Sequence, residues 1–353
     1  MSKKLRFGVV GTGGIWSGVH APDILKHPEV EVVAVCDVIK EKADDWAKQT
    51  GAKAYYDYKD MIATADLDIV DICTPNLYHS PIAVAALKSG RHVFCEKPDA
   101  INPLEARKMA DAAKKSGKTL MCMRNNRWLP ASQWLKKFID GGEMGDIYTG
   151  RCGWQRRRGI PGKGGWFTTK ALSGGGPLID LGVHFIDVAT WLMGNPVPVA
   201  VSGCTYCKFA QSDASDSEHA KFGNKSAGGT FDVEDLAIGF IRFANGASLQ
   251  IEFSWASNIE NENAFVELRG TKAGSFMDGT QCKIFTEGPA GLYDIQPKLV
   301  KNPRGEHAMM LYHFIDVVQK RAQPIILPEH GVNMIKILSA MYESAAKGKE
   351  VRL

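Results

Sequence analysis

Six short apolar runs alternate with helical patterns across residues 5–122, and this rhythm limits the fold more than any other feature of the chain. The runs lie at 6–10, 31–37, 53–55, 69–73, 92–95 and 119–123. Helical stretches are predicted between them near 15–27, 40–49, 58–64, 79–89 and 103–116. Gly90 supplies a stop after the fourth, and Asn102-Pro103 opens the fifth as N-cap and first helical residue. Strands that alternate with helices of this length form parallel βαβ units, because a parallel return needs a long crossover. A doubly wound parallel sheet is therefore expected. Such sheets take ligands beyond the C-terminal ends of their strands.

The rest of the chain has another period. Leu249, Ile251, Phe253 and Trp255 alternate with Gln250, Glu252 and Ser254, which marks a strand with one buried face. Residues 236–243 are also strand-like, and Asn245-Gly246 between the two is a hairpin signal. Further strands are predicted at 147–157, 199–208, 263–269 and 281–286, and helices at 306–320 and 330–347. The polar stretch 209–231 is expected to be a long mobile loop. With 353 residues, the chain is too long for one small core. The expected domains are 1–124 and 125–353. The fold class is thus α/β, with an N-terminal doubly wound parallel sheet.

A net charge of +4 and a single dense basic cluster, Arg156-Arg157-Arg158, do not make a nucleic-acid groove. The N-terminal apolar run is too short for a signal peptide or a membrane span, so a cytoplasmic protein is expected, with no nucleic-acid or membrane partner. Cys36, Cys73, Cys95 and Cys122 sit in strand-like runs and read as buried free thiols. Cys204-Thr-Tyr-Cys207 is a lone CxxC without the second pair or helix start that a zinc or redox site calls for. No metal site is expected.

Gly11-Thr-Gly-Gly14 follows the first strand and precedes a helix, the context of a dinucleotide turn. Its glycines let a pyrophosphate approach the backbone at a helix N-terminus. Asp37 ends the second strand, where a carboxylate binds ribose hydroxyls and repels a 2′-phosphate. NAD is the expected cofactor, with NADP possible because Lys40 lies close by. The third glycine of the fingerprint is replaced by Trp16.

Lys97, in Glu96-Lys97-Pro98, falls at the ligand-binding end of the fifth strand. Asp180 and His184 are four residues apart in a helical pattern opened by Pro177, so their Cβ atoms stand ~5–6 Å apart on one face. Asp187 continues the stripe. Oxidising a secondary alcohol removes a proton from oxygen and a hydride from carbon. A histidine suits the first task, an ammonium stabilises charge on the oxygen, and nicotinamide accepts the hydride. Lys97, Asp180 and His184 are therefore the catalytic candidates.

In order and spacing, Gly11–Gly14, Cys36-Asp37-Val38, Cys73-Thr-Pro-Asn76, Glu96-Lys97-Pro98, Asp180-Leu-Gly-Val-His184 and Thr230–Asp235 resemble the family of glucose–fructose oxidoreductase, inositol dehydrogenase and the rhizopine-catabolism oxidoreductases (Gfo/Idh/MocA). The resemblance covers nearly the whole chain. It implies that 1–124 is an NAD(P)-binding Rossmann domain and that 125–353 is a substrate-binding and oligomerisation domain, α/β in class, with a large, mostly antiparallel sheet whose open face makes homodimers or homotetramers. It also implies an NAD(P)-dependent dehydrogenase acting on a sugar or cyclitol. The alternatives are a redox-neutral epimerase, dehydratase or glycosidase that borrows NAD, or a non-catalytic sensor. Cofactor contacts are expected from Gly11, Gly13, Gly14, Ile15, Asp37, Thr74, Asn76, His79, Glu96 and Lys97. His184 becomes the proton acceptor, Lys97 binds substrate, and Asp180 holds a sugar hydroxyl. Arg127, Trp154, Arg156 and Trp166 are further substrate candidates.

Overall fold

Five of the six apolar runs carry side chains that are buried along most of their length, as strands covered on both faces require. In the computed structural model, which describes residues 4–215 and 217–353, all six pair in parallel. They are β1 (Leu5–Val10), β2 (Val30–Cys36), β3 (Lys53–Tyr55), β4 (Ile69–Ile72), β5 (His92–Cys95) and β6 (Leu120–Cys122). Their order is β3-β2-β1-β4-β5-β6, the doubly wound arrangement with its switch point beside β1. The register aligns Val10 with Cys36 and Ile72, Ile72 with Cys95, and Cys95 with Cys122. The segments after β1, β4 and β5 therefore leave the sheet from one edge.

The second sheet has nine strands: β7 (Ile147–Gln155), β8 (Pro198–Tyr206), β9 (Leu236–Phe243), β10 (Ser248–Ser254), β11 (Asn263–Gly270), β12 (Ala273–Asp278), β13 (Cys282–Gly288), β14 (Gly291–Ile295) and β15 (Val351–Arg352). All pairings are antiparallel except that of β10 with β7. The turn at Asn245-Gly246 joins β9 to β10, with Gly246 at φ +85°. Strands β12, β14 and β15 and the helix Pro130–Asp140 were not among the expected elements. β14 is exposed along its length and β15 is two residues long, so neither carries an alternating apolar pattern.

The chain divides into two compact units. One comprises Met1–Arg124 and His307–Ile335, the other Asn125–Glu306 and Lys336–Leu353. A continuous 125–353 segment is therefore interrupted: His307–Ile335 groups with the parallel sheet. Packing explains this, because Phe314 meets Phe94 of β5 at 5.1 Å between ring centroids and Tyr312 meets His27 at 4.4 Å. The 209–231 stretch contains a 3₁₀ turn, Glu218–Lys221, and is fastened within its unit. Lys163 Nζ donates to Ser212 O at 3.0 Å and pairs with Asp213 at 2.7 Å, and Phe222 packs on Phe167.

Candidate functional site

The first unit supplies the turn after β1. Gly11 sits at φ +91°, and a Cβ there would stand 2.6 Å from Cys73 O, so only glycine fits. Gly13 and Gly14 have open space where a Cβ would point, which leaves their backbone approachable. Asp37 stands beside this turn: its Oδ2 accepts from Thr12 N–H (2.8 Å) and Oγ1 (3.1 Å), and its Oδ1 from Ile39 N–H (2.9 Å). Lys40 lies over the Tyr56 ring at 5.2 Å. Trp16 is wholly buried between Phe7 and Trp46. The chain accommodates it by opening the helix, just after half-buried Ile15, with a π-turn, Trp16–His20, in which Ala21 N–H donates to Trp16 O. Thr74 Oγ1, after β4, is buried with no hydrogen-bond partner among the described residues. An approachable glycine backbone, an acid at the end of the second strand and an orphaned hydroxyl together fit a dinucleotide.

Three further groups stand at the ends of β4 and β5. Glu96 is buried, and its Oε2 accepts from Lys97 N–H at 3.0 Å. Lys97 is half-buried and precedes a cis proline, Pro98. Asn76 is buried in a short 3₁₀ turn. His79 departs from its expected role as a cofactor ligand. It is fully buried and uses both ring nitrogens on carbonyls, Pro98 O at 2.7 Å and Thr74 O at 2.9 Å. It braces the two loops instead. Burial opposes charge on this ring, but the Cys95 thiol and the two carbonyls outweigh it and raise its pKa to about 9.

One member of this cluster escaped sequence reasoning. His20 lies between two acids, with Nδ1 2.8 Å from Asp71 Oδ2 and Nε2 2.9 Å from Glu96 Oε1. The available signal was Asp71, a charge inside the apolar run Ile69-Val-Asp-Ile72. Among the described residues, His20, Asp71 and Cys73 are the one group whose atoms converge closely enough to hold a metal. The 2.8 Å separation of the His20 and Asp71 atoms is that of a hydrogen bond.

In the second unit, Asp180 lies in a π-turn, Leu178–Gly182, that runs into the helix Val183–Leu192 carrying His184. π-Turns inside helices concentrate at functional sites. Glu234, from the Thr230–Asp235 segment, holds the start of this turn: its carboxylate accepts from Gly176 N–H (2.9 Å), Leu178 N–H (3.1 Å) and Tyr342 Oη (2.9 Å). Trp255 Nε1 donates to Asp180 Oδ2 at 3.0 Å, a contact the sequence did not disclose. His184 is half-buried, with Trp154 edge-on at 6.3 Å between centroids.

Two expectations change here. Arg127 is 0% exposed and bidentate to Asp187, Nε to Oδ2 at 2.7 Å and Nη2 to Oδ1 at 2.8 Å. It is a buried ion pair, not a substrate-facing arginine. For the same reason Asp187 leaves the polar stripe of Asp180 and His184. Trp154 is a packing hub: His184, Phe185 and His219 meet its ring edge-on, and the Arg156 guanidinium lies 4.5 Å from its centroid. Arg156 is buried, which lowers its pKa against the opposing charges of Asp180 and Glu262, and its Nε has no partner among the described residues. Trp166 is half-buried and stacked on Phe167 at 3.8 Å. All eight cysteines are free thiols. Cys204 and Cys207 are exposed and the other six are buried.

A family profile described as an oxidoreductase family with an NAD-binding Rossmann fold matches residues 5–123, and one described as a GFO/IDH/MocA C-terminal domain matches 132–275. The D-glucoside 3-dehydrogenase of Escherichia coli (strain K12) is 33% identical over 354 residues, covering 100% of this chain and 98% of that protein. The levoglucosan dehydrogenase of Pseudarthrobacter phenanthrenivorans is 30% identical over 76% of this chain and 72% of that protein. Among solved structures, GenD2 from gentamicin A biosynthesis in complex with NAD is similar with a TM-score of 0.80 at 28% identity, over 100% of this chain and 97% of that one.

Proposed function

Since the chain belongs to the GFO/IDH/MocA oxidoreductase family and carries its NAD-binding Rossmann fold, we propose that it oxidises a secondary hydroxyl of a sugar, cyclitol or glycoside, with NAD as acceptor. One observation carries this reading. A chain matched end to end by a D-glucoside 3-dehydrogenase has both the Gly11–Asp37 dinucleotide turn and a half-buried His184 on the helix that follows Asp180. The backbone at Gly11, Gly13 and Gly14 would hold the pyrophosphate, Asp37 would take the ribose hydroxyls, and Thr74, Asn76 and Glu96 would stand toward the nicotinamide. Nicotinamide held there would supply the hydride acceptor for the oxidation. His184 takes the hydroxyl proton. Lys97 stabilises the negative charge that develops on oxygen. Asp180, oriented by the Trp255 N–H, accepts a hydrogen bond from a neighbouring hydroxyl.

The eight unpaired thiols support a reducing, cytoplasmic location, and no helix among the described residues is long and apolar enough to cross a membrane. Exposed Tyr206 and Ile238 on the neighbouring strands β8 and β9, and exposed Phe285 on β13 of the same nine-stranded sheet, support homo-oligomer formation through that sheet.

The test is a screen of glycosides, inositols, hexoses, anhydrosugars and sugar acids with NAD and NADP, read at the absorption band of the reduced cofactor. Stoichiometric NADH is expected. Turnover without it would mark a redox-neutral cycle. His184→Ala should lower kcat by roughly 10²–10⁴ while cofactor binding persists. Wild-type turnover in both His184→Ala and Lys97→Ala would refute the assignment.

A further inference from the structure

His20 closes the first π-turn, and its ring is wholly buried. Its two nitrogens face two carboxylates, Asp71 at 2.8 Å and Glu96 at 2.9 Å. A neutral imidazole has one donor nitrogen and an ionised carboxylate has none, so one ring serves both acids only as an imidazolium. Cys73 Sγ also faces Nδ1 at 3.4 Å, and the Phe94 ring lies 5.9 Å away. Glu96 is faced in addition by Lys97 and His307. These charges have a definite sense. Burial works against the charged ring, but Asp71 above all raises the pKa of His20 well beyond the ordinary histidine range. Burial likewise works against the Glu96 carboxylate, yet the hydrogen bond and charge of His20 bring it down to about 2.

The bridge joins three separate pieces of the sheet edge: the helix turn after β1, strand β4 through Asp71, and the Glu96–Pro98 turn after β5. The other oxygen of Glu96 receives the Lys97 N–H.

We infer that His20 is a positioning residue of this oxidoreductase: as an imidazolium bridge it keeps the Glu96 carboxylate ionised and fixed in orientation, and through it sets the place and electrostatic surroundings of Lys97. This rests on the proposed reading, in which Glu96 and Lys97 serve the nicotinamide side. His20 itself touches neither substrate nor cofactor.

The experiment compares wild type, His20→Gln, Glu96→Gln and the double variant. It measures NADH binding by tryptophan fluorescence and oxidation of methyl D-glucopyranoside with NAD, each from pH 5 to 9. Without the imidazolium, burial acts on Glu96 against only the charges of Lys97 and His307, and an acid limb should enter the profile. The loss in kcat/KM should be roughly 10- to 100-fold at pH 6 and shrink toward pH 9, the size seen when the support of a site residue is removed. NADH affinity should weaken with the same pH dependence. In the Glu96→Gln background, His20→Gln should add nothing. A His20→Gln profile that superimposes on wild type, or losses that multiply in the double variant, would overturn the inference. Should His20→Gln fail to fold, Asp71→Asn keeps the ring and removes its main counter-charge. It should move the acid limb in the same direction by less, and an unmoved limb would overturn the inference. If the wild type binds NADH but turns over no sugar, the substrate reading fails while the pH dependence of binding still tests His20.

Discussion

Replacing Arg127 separates a structural arginine from a substrate-binding one. The guanidinium and the Asp187 carboxylate are 0% and 3% exposed, joined by two hydrogen bonds of 2.7 and 2.8 Å, and the guanidinium also lies 5.4 Å from the Trp191 ring centroid. Arg127→Met keeps the apolar stem and removes the charge. It leaves the Asp187 carboxylate in the interior without its counter-charge. Breaking a buried pair in this way costs about 3–5 kcal/mol, because the remaining ion has lost its water. In a unit of about 200 residues, each kcal/mol moves the midpoint by ~2–4 °C, so Tm should fall by roughly 6–20 °C. Circular dichroism during heating reads this directly. The double variant Arg127→Met, Asp187→Leu should recover most of the loss, since neither charge is then buried alone. A wild-type Tm in Arg127→Met, together with a sharply raised KM for the sugar, would refute the reasoning and return Arg127 to the substrate.

Three other outcomes follow from the same geometry. Gly11→Ala puts a methyl group 2.6 Å from Cys73 O at φ +91°, and fluorescence titration should show NADH binding weakened roughly 10-fold or more, at least ~1.4 kcal/mol. Asp37→Ser removes the carboxylate that repels a 2′-phosphate, and the ratio of kcat/KM for NAD over NADP should drop by about 10-fold or more. Glu96 has its pKa depressed from 4.5 to about 2, so its contribution to stability is present above pH 4.5 and lost as pH falls toward 2. The stability gap between wild type and Glu96→Gln should therefore be level above pH 5 and close below 4.5, as read from urea unfolding at each pH.

Much of the frame was legible because it rests on local periodicity. Alternating apolar runs and helical stretches announced the parallel sheet, and Asn245-Gly246 announced the β9–β10 hairpin. The glycine turn and Asp37 could be placed because a βαβ unit carries a strand's end to a known edge. The Asp180…His184 pair was visible as spacing, but the π-turn at Leu178–Gly182 was not, since nothing in the composition distinguishes it from an α-turn. His79 and Arg127 were misread for one reason: a polar residue next to a site motif looks the same in sequence whether it faces a ligand or a carbonyl.

Helical hydrogen bonds and side-chain periodicity act over a few residues, so the sequence alone determined most of the elements, the α/β class and the positions of the cofactor turn and the strand-end motifs. Charge compensation acts through space. His20 meets acids 51 and 76 positions away, and Arg127 meets an aspartate 60 positions away. Only the folded chain, where an ion removed from water must find its counter-charge, decided which of these polar groups brace the site and which remain for chemistry.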